Sequence, residues 1–376
     1  MNRINKRPDF TADLFSSDAG MSYTLPAEMY FSAQTLADEK EAIFMRSWLY
    51  VAHVSELSQP GQYVTAEFFD QRLYVLRTEG GEIKAFFNVC QHRGHSLLSG
   101  KGTTRRLIVC PYHSWSYDHD GTLRAAPNCA HVDSFNREEF GIPEIRVDTL
   151  GGFVFINFDP DAQPMAELYA GAEARIDAMC PVSTALTTTR EITFDIAGNW
   201  KNVGDNLLEC YHCASTHKAF VDLVEMTSYK VELHDNWSIQ SGSCRCDNTA
   251  YDYDASSTST EFATLFIWPS MAVVKFPGTE GVATFSFTPT DPELTHQVFT
   301  YHAPSPDLTD VENRAFDYFR DVLGPEDVAL VEDVQRGLHS KGYHQGRFMV
   351  DQQRSEISEH AVHHFQNLVA RSLGLA

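Results

Sequence analysis

Residues 90–113 read CQHRGHSLLSGKGTTRRLIVCPYH and contain two short boxes, each with one cysteine and one histidine. Cys90 and His92 form the first box, Cys110 and His113 form the second, and seventeen residues separate His92 from Cys110. Two thiolates and two imidazoles are the ligands of a [2Fe–2S] cluster in which cysteines hold one iron and histidines hold the other. A Cys2His2 zinc site is the alternative, but zinc sites more often pair like ligands at Cys-x2–4-Cys and His-x3–5-His spacings. The spacing therefore favours the iron–sulfur cluster.

The residues around the two boxes predict a small, mostly antiparallel β domain. Runs rich in β-branched and aromatic residues alternate there with turn signals such as Pro60-Gly61 and Gly80-Gly81. The predicted strands include residues 71–77, 83–89, 107–110 and 153–158. The segment 28–48 before them has a helical pattern, and the polar, proline-containing segment 159–164 is a plausible domain boundary.

The second half of the chain predicts an α+β domain, because helical segments flank a run of strands. We expect helices near 166–179, 199–220, 311–323, 326–340 and 356–373, and strands near 228–233, 237–242, 272–276, 283–289 and 296–301. The predicted organisation is an N-terminal segment, 1–45, that packs on the catalytic domain, a β domain, 46–160, and a catalytic domain, 161–376.

Charge and composition narrow the class of protein. The 376 residues carry 29 Lys and Arg against 51 Asp and Glu, a formal charge of −22. This balance argues against nucleic acid or an anionic membrane surface as a partner, because both require clustered positive charge. The sequence has no apolar run long enough to span a membrane and no apolar signal-peptide core, so we expect a cytoplasmic protein. Its eight cysteines are then expected to be metal ligands or free thiols rather than disulfides.

A second candidate metal site lies in residues 199–220, NWKNVGDNLLECYHCASTHKAF. His212 and His217 are five positions apart, which places them about 140° apart around an ideal helix. They can share a metal only if the helix is distorted or ends between them, and Ser215-Thr216 is a plausible break. Cys210 and Cys213 flank His212 in a CxxC arrangement and are expected to be packing residues or free thiols.

Two histidines need a carboxylate to complete the 2-His-1-carboxylate site of non-haem Fe(II) oxygenases, which leaves positions open for O2 and water. The candidates lie in LGPEDVALVEDVQRGL, residues 323–338, where Pro325 suits the first turn of a helix. The spacing of the apolar residues does not decide among the four carboxylates, Glu326, Asp327, Glu332 and Asp333.

The two cluster boxes, the NW…E-x-x-H-x4-H segment and the late ED…VQRG segment together resemble the Rieske non-haem iron oxygenase α subunits, over about residues 25–372. The resemblance implies a Rieske [2Fe–2S] domain and a helix-grip-like α+β catalytic domain with one mononuclear Fe(II). It implies that His212, His217 and Asp327 hold this iron. It also implies that Glu209 bridges to His113 of a neighbouring subunit and carries electrons between the two metal centres.

Within that family the chain is most similar to carnitine monooxygenases and other quaternary-amine oxygenases, through segments such as DNLLECYHC and VQRGLHSKGY. This likeness implies a homotrimer that uses O2 and receives electrons from NAD(P)H through a separate flavin and iron–sulfur reductase. It implies hydroxylation next to nitrogen in a carnitine-like or betaine-like compound, followed by C–N cleavage or demethylation. Leu207 stands where carnitine monooxygenases tend to have Tyr, so a substrate other than carnitine is equally allowed.

A trimethylammonium group needs an aromatic cage, which Phe266, Trp268 and Phe276 could provide, with Leu207 as a further substrate contact. An aromatic stripe on strands is more often core, so a core role for these rings is the alternative. Two alternatives remain at this point. The first is an aromatic-ring hydroxylating oxygenase, and the second is a Rieske electron carrier with an inactive second domain.

Overall fold

The computed structural model describes residues 14–254, 256 and 259–375. The chain divides into two compact units. The β unit comprises residues 45–177 and 181–188, and the α+β unit comprises the rest of the chain. No helix among the described residues is long and apolar enough to cross a membrane.

The β unit is built on an antiparallel seven-stranded sheet with the strand order β1-β10-β9-β4-β3-β2-β5. Strand β10 is entirely buried, and so are the four central residues of β3, as their runs of apolar residues predict. The strands of this sheet are β1 (Leu49–His53), β2 (Gln62–Phe68), β3 (Gln71–Arg77), β4 (Ile83–Phe87), β5 (Lys101–Thr103), β9 (Glu144–Leu150) and β10 (Phe153–Asn157).

A separate three-stranded sheet, β6-β7-β8, carries the second cysteine–histidine box at one end. Its strands are short: β6 (Ile108–Val109), β7 (Ser116–Tyr117) and β8 (Leu123–Ala125). Between the two sheets lies an apolar core that includes Tyr74, Phe86, Trp115 and Tyr117, and both cysteines of the boxes belong to it.

The β unit extends beyond residue 160, where the sequence placed the domain boundary. Helices α2 (Met165–Leu168) and α3 (Ala172–Met179) follow the last strand, and residues up to 177 belong to this unit. The indole nitrogen of Trp48 donates a hydrogen bond to the carbonyl of Gln163, and Ile176 lies against Gly151. These contacts hold the chain on the β unit both at Gln163 and beyond Pro164, so the polar run 159–164 is a surface turn within the unit.

The α+β unit has its own antiparallel seven-stranded sheet, in the order β11-β17-β16-β15-β14-β13-β12. Strands β14 and β15 are buried along nearly their whole length. The strands are β11 (Thr187–Ile196), β12 (Lys230–Leu233), β13 (Trp237–Ser243), β14 (Glu261–Ile267), β15 (Met271–Lys275), β16 (Val282–Asp291) and β17 (Leu294–Ala303).

The helices of this unit include α1 (Ala33–Ala42) and α4 (Trp200–Leu207), which begins at an Asn199 cap. Helix α4 packs against the C-terminal helix α9 (His360–Ser372) at Gly204, where a Cβ atom would lie 2.5 Å from the Phe365 ring. Two short helices, α5 (Cys213–Thr216) and α6 (Lys218–Leu223), follow α4. The sequence predicted one helical segment over 199–220, and the structure breaks it into three.

Helices α7 (Asp310–Tyr318) and α8 (Gly324–Leu338) are joined without a loop by a π-helical turn, Phe319–Leu323. A capping box between Thr309 and Glu312 starts α7. In the π-helical turn the amide of Gly324 donates to the carbonyl of Phe319, one residue further than in an α-helix. This joint sets the direction in which the first turn of α8 presents its side chains.

A buried ion pair anchors α4 to the N-terminal segment. The Nζ atom of Lys201 lies 2.6 Å from Oε1 of Glu39 on α1, and both side chains are fully buried. The indole nitrogen of Trp200 donates to the other carboxylate oxygen at 2.7 Å. The described part of the N-terminal segment therefore packs within the α+β unit.

Candidate metal centres and the cavity beside them

The two cysteine–histidine boxes of the β unit have the same backbone geometry. The amide of Cys90 donates to the carbonyl of His95, and the amide of Cys110 donates to the carbonyl of Trp115. In each box the amide four residues after the cysteine returns a bond to the cysteine carbonyl, from Gly94 and from Ser114. Both of those residues have positive φ, 74° and 61°. The sequence thus builds two matching loops that present their ligand side chains at one place.

The side chains of the two boxes have the arrangement that a cluster with two kinds of ligand requires. Cys90 and Cys110 are buried, at 2% and 1% exposure. The rings of His92 and His113 lie outward with their centroids 4.6 Å apart. Burial raises the pKa of the Cys90 thiol, so a bound cation is needed to stabilise its thiolate. This donor set, with sulfur inside and nitrogen outside, fits a Rieske [2Fe–2S] cluster.

In the α+β unit, a break in the helix between His212 and His217 brings their rings together. Helix α5 ends at Thr216, and His217 leaves helical geometry with φ −96° and ψ 70° before α6 begins. The Nε2 atoms of His212 and His217 lie 3.0 Å apart. The predicted break after Ser215-Thr216 is confirmed, and it removes the 140° separation of a continuous helix.

Asp327, in the first turn of α8, completes the group. Its Oδ1 atom lies 2.9 Å from Nε2 of His217 and 3.4 Å from Nε2 of His212. These three residues each offer one ligand atom, and all three atoms lie within 4.8 Å of one another. Two imidazoles and one carboxylate on one side of a space suit a non-haem Fe(II) site with open positions.

The other three candidate carboxylates have different surroundings. Oε2 of Glu326 lies 2.7 Å from Nδ1 of His217, on the far side of that ring from Asp327. Glu332 accepts a hydrogen bond from the amide of Ala197, and Asp333 pairs with Arg336 on the surface. The contact between Glu326 and His217 was not predicted, and the adjacent acidic pair in the sequence is the signal that could have indicated it.

Glu209 contacts His212 twice. One carboxylate oxygen is in hydrogen-bond contact with Nδ1 of the ring, and the other accepts from the His212 amide at 3.1 Å. Glu209 lies in the non-helical turn between α4 and α5, and its carboxylate caps the turn that carries His212.

These carboxylates change the protonation of the ligands. Burial works against a charged imidazole, but the hydrogen bonds to Asp327 and Glu209 outweigh it and raise the pKa of His212 to about 10. Burial alone would raise the pKa of Asp327, yet hydrogen bonds from the two imidazoles lower it. The group therefore holds positive charge between two carboxylates, which is the electrostatic setting for a divalent cation.

Cys210 and Cys213 are joined by a disulfide, which corrects the expectation that they are thiols. The non-helical turn between α4 and α5 brings their Cα atoms to 4.9 Å, within the usual range for a disulfide. The six other cysteines, all within the described part of the chain, form no disulfide.

A largely apolar cavity opens beside His212, His217 and Asp327. Of the predicted substrate residues, Leu207 and Phe276 line it. Phe266 and Trp268 are not among its described lining residues, and their rings pack on Phe365 at 5.8 and 5.7 Å. These two residues belong to the buried core under α9, which is the other role that an aromatic stripe on strands can have. Aromatic lining residues that the sequence analysis did not single out are Phe220, Tyr229, Phe262, Phe285 and Phe319.

Comparisons with known proteins agree with this division of the chain. Residues 47–136 match the family described as the Rieske [2Fe-2S] domain, and residues 183–374 match the ring hydroxylating alpha subunit, catalytic domain. The carnitine monooxygenase oxygenase subunit of Acinetobacter baumannii is 38% identical over 99% of both chains. The chloroplastic choline monooxygenase of Spinacia oleracea is 27% identical over 94% of this chain and 79% of its own. A solved quaternary ammonium Rieske monooxygenase aligns with a TM-score of 0.91 at 38% identity, over 96% of this chain and 98% of the other.

Proposed function

Because the chain belongs to the Rieske non-haem iron oxygenases, we propose that it is the terminal oxygenase component of a quaternary ammonium monooxygenase. The observation that carries the proposal is the meeting of His212, His217 and Asp327 beside an aromatic-walled cavity. The full-length identity of 38% to a carnitine monooxygenase oxygenase subunit supports the substrate class.

In this proposal Cys90, His92, Cys110 and His113 hold a [2Fe–2S] cluster, and His212, His217 and Asp327 hold one Fe(II). When bound, the cluster would supply electrons, and the Fe(II) would activate O2. Its two histidine ligands give such a cluster a higher reduction potential than the all-cysteine cluster of a plant-type ferredoxin. The matching loops and the burial of the two thiols support the first assignment. The convergence of three ligand atoms supports the second.

Glu209 and Glu326 have positioning roles in the proposal. Each carboxylate holds the Nδ1 side of one histidine, so that Nε2 of both rings remains directed at Asp327. Glu209 is 14% exposed, and we propose that it also contacts His113 of the partner subunit and carries electrons between subunits. Such a contact requires an oligomer, for which a homotrimer is the expected form.

The reaction adds one oxygen atom to a C–H bond next to nitrogen. The other oxygen atom of O2 leaves as water, with two electrons and two protons consumed. The hydroxylated carbon then loses the amine, which cleaves the C–N bond and leaves an aldehyde. The electrons come from NAD(P)H through a separate flavin and iron–sulfur reductase, because the sequence has neither a GxGxxG nucleotide fingerprint nor a second set of cluster cysteines in the plant-type spacing.

Oxygen consumption with a surrogate reductase tests the proposal. The panel contains carnitine, γ-butyrobetaine, choline and glycine betaine, with naphthalene as the ring compound. We expect oxygen uptake and a matching yield of aldehyde with at least one quaternary amine, and none in the His217→Ala variant. Product from naphthalene alone would establish ring hydroxylation instead, and reduction of the cluster without turnover of any compound would indicate an electron carrier.

A further inference from the structure

Thr264 is an uncharged polar residue in an aromatic part of the cavity wall. It lies on β14, lines the cavity and is 5% exposed. Its hydroxyl has no hydrogen bond to any residue that the structure describes. Buried polar groups are nearly always hydrogen-bonded, because a buried group without a partner is costly. We therefore expect the partner of this hydroxyl to come from the molecule that occupies the cavity.

The side chains opposite Thr264 on the two neighbouring strands leave its hydroxyl without a partner. Gln240 lies opposite it on β13, and both ends of the Gln240 amide are occupied. The amide nitrogen donates to the carbonyl of Leu207 at 3.0 Å, and the amide oxygen accepts from the hydroxyl of Tyr229 at 3.1 Å. Val274 lies opposite Thr264 on β15 and has no polar side-chain atom. The Thr264 hydroxyl therefore remains available to a ligand.

Three phenylalanine rings lie beside Thr264 in the cavity wall. Phe262 is two residues before it on the same face of β14. Phe276 is two residues after Val274, the residue opposite Thr264. The Phe262 ring lies 4.9 Å from the Phe220 ring and 5.7 Å from the Phe276 ring. All three rings line the cavity, and they are called the phenylalanine patch below.

The patch and the hydroxyl are close enough for one short ligand to contact both. Phe262 and Thr264 are only about 7 Å apart along the strand. A cation is attracted to a ring face within about 6 Å of the ring centroid, and two hydroxyl oxygens pair at about 2.8 Å. A hydroxyl on the second carbon from a quaternary nitrogen therefore reaches Thr264 while the methyl groups contact the rings. Phe220 is three residues after His217, so the patch begins next to a proposed iron ligand along the chain.

The cavity wall carries charges of both signs. Glu209 and Asp327 contribute carboxylates, whereas His212 and His217, with the Fe(II) proposed there, contribute positive charge to the same wall. A carboxylate elsewhere in the ligand is therefore compatible with the cavity. The phenylalanine patch and Thr264 recognise a different pair of groups, the quaternary ammonium and a hydroxyl close to it.

We propose that Thr264 is a specificity-determining residue that binds a hydroxyl on the second carbon from the quaternary nitrogen of the substrate. This inference rests on the proposed function, because it places the ammonium group on the phenylalanine patch. The Thr264 hydroxyl can donate to the ligand oxygen or accept its proton, which satisfies both groups. The preferred substrate is accordingly a quaternary ammonium compound that carries this hydroxyl, with or without a more distant carboxylate.

Two matched pairs of ligands isolate the contribution of the hydroxyl. L-Carnitine and γ-butyrobetaine differ only in this group, and so do choline and ethyltrimethylammonium. Binding is measured by calorimetry on the intact, iron-loaded enzyme without O2 or reductase, and kcat and KM are measured separately with reductase. In the pair that binds better, we expect the hydroxylated member to bind the wild type about tenfold more tightly, the effect of one buried hydrogen bond.

Two variants of Thr264 test its role. Thr264→Val replaces the hydroxyl by a methyl group at nearly the same shape, and it should bind the two members of the pair equally within about twofold. It should lose affinity for the hydroxylated member and keep that for the other. Thr264→Ser retains the hydroxyl and should retain most of the preference. A residue that only fills space would not distinguish the two ligands in this way.

A ring variant and a control complete the set. Phe262→Leu removes an aromatic face and should weaken both members of the pair alike, so that their ratio is unchanged. Thr300→Val is the control, because Thr300 is also 5% exposed, lies on β17, bonds Glu191 and is not among the lining residues that the structure describes. The control should retain the wild-type ratio within about twofold.

The outcomes distinguish this inference from the function on which it rests. If no quaternary amine binds the wild type, the proposed function and the role of Thr264 both fail. If quaternary amines bind but the hydroxyl brings no preference, or Thr264→Val keeps the tenfold preference, only the role of Thr264 is overturned. Thermal unfolding of each variant shows whether it is folded. Thr264→Ala removes the same hydroxyl and takes the place of the Val variant if that variant does not fold.

Discussion

The ring of His217 is held between two neighbouring carboxylates of one helical turn, with Nδ1 lying 2.7 Å from Oε2 of Glu326. The opposite nitrogen of the same ring is the one that lies 2.9 Å from the next carboxylate in the sequence. One turn of α8 thus supplies both a proposed metal ligand and the group that orients a second ligand. This relationship gives the first prediction.

Glu326→Gln should lower the affinity for Fe(II) about tenfold or more, because a neutral amide orients and polarises His217 less well than a carboxylate does. The measurement is iron content after dialysis against a graded chelator. Asp333→Asn is the matched control on the same helix, since Asp333 is 79% exposed and pairs with Arg336 on the surface. Equal iron retention in both variants would mean that Glu326 is not needed to position the ligand.

Glu209→Gln should preserve reduction of the cluster by the reductase but reduce substrate turnover steeply. The amide keeps the length of the side chain but loses the charge that acts on His212. We expect Glu209→Asp to be partly active, because it retains the charge with a shorter reach. Stopped-flow reduction of the cluster and product yield are the two readouts. Wild-type turnover in the Gln variant would exclude a role in electron transfer.

Two inactive variants should restore activity to each other if electrons cross between subunits. Cys110→Ala lacks a proposed cluster ligand, and His217→Ala lacks a proposed iron ligand. In a mixed oligomer some intact clusters face intact iron sites, so partial activity should return. Product yield after subunit exchange checks this, with exchange verified by mass spectrometry of tagged chains. Verified exchange without activity would favour transfer within one subunit.

Glu39→Gln should destabilise the protein by about 3–5 kcal/mol, because it leaves the Lys201 ammonium buried without its partner. Burial lowers the pKa of Lys201, and the charge and hydrogen bond of Glu39 are the main opposing effects, with a smaller one from the Asp205 charge. Removing the Glu39 charge therefore leaves the cost of burial largely uncompensated. Urea unfolding measures the effect. Glu41→Gln is the control, since Glu41 is 74% exposed, and the double variant Glu39→Met with Lys201→Met should recover much of the loss. A loss in the single variant no larger than in the control would contradict the prediction.

Asp205 should make stability depend on pH. Its Oδ2 atom accepts hydrogen bonds from Tyr30 and Gln366, but burial dominates and raises the pKa of Asp205 to about 7. Between the ordinary aspartate value of about 3.9 and this value, the folded protein holds a proton that the unfolded chain releases. The free energy of unfolding contributed by this group therefore falls as pH rises, by at most about 1.4 kcal/mol per pH unit, and levels off above pH 7.

Asp205→Asn removes this titration. The stability of wild type relative to the variant should be greatest near pH 5 and smallest near pH 8. Urea unfolding of both proteins at pH 5, 6, 7 and 8 gives the difference directly. Parallel curves for the two proteins would show that Asp205 does not titrate in this range.

Local patterns predicted several parts of the fold well. Strand β3 runs from Gln71 to Arg77 as predicted, since its continuous apolar run, residues 73–76, is flanked by polar and turn residues. Strand β11, Thr187–Ile196, was missed because most of its residues are only partly buried and its polar alternation shows no clear apolar face. The domain boundary at residue 160 was misplaced because a polar turn looks like a linker, whereas the packing of Trp48 and Gly151 on the following segment is visible only in three dimensions.

The parts of the site that depend on the spacing of residues along the chain were predictable. The need for a helix break before His217 follows from the angle between residues and is confirmed. The choice of Asp327 among four carboxylates came from family resemblance alone, because all four occur on one helix. The aromatic wall was only partly predicted, since Phe220 and Phe319 reach the cavity from helical segments far from the strands that were considered.

The π-helical turn at Phe319–Leu323 makes chain length itself a component of the iron site. Deleting one residue there would restore ordinary α-helical bonding and leave His212, His217 and Asp327 unchanged in identity. It would nevertheless turn the first residues of α8 by about 100° relative to α7, which is the rotation of one helical residue. A related chain could therefore have all three ligand residues and still fail to bind the metal. The number of residues between Phe319 and Leu323 is as informative about metal binding as the identity of the ligands.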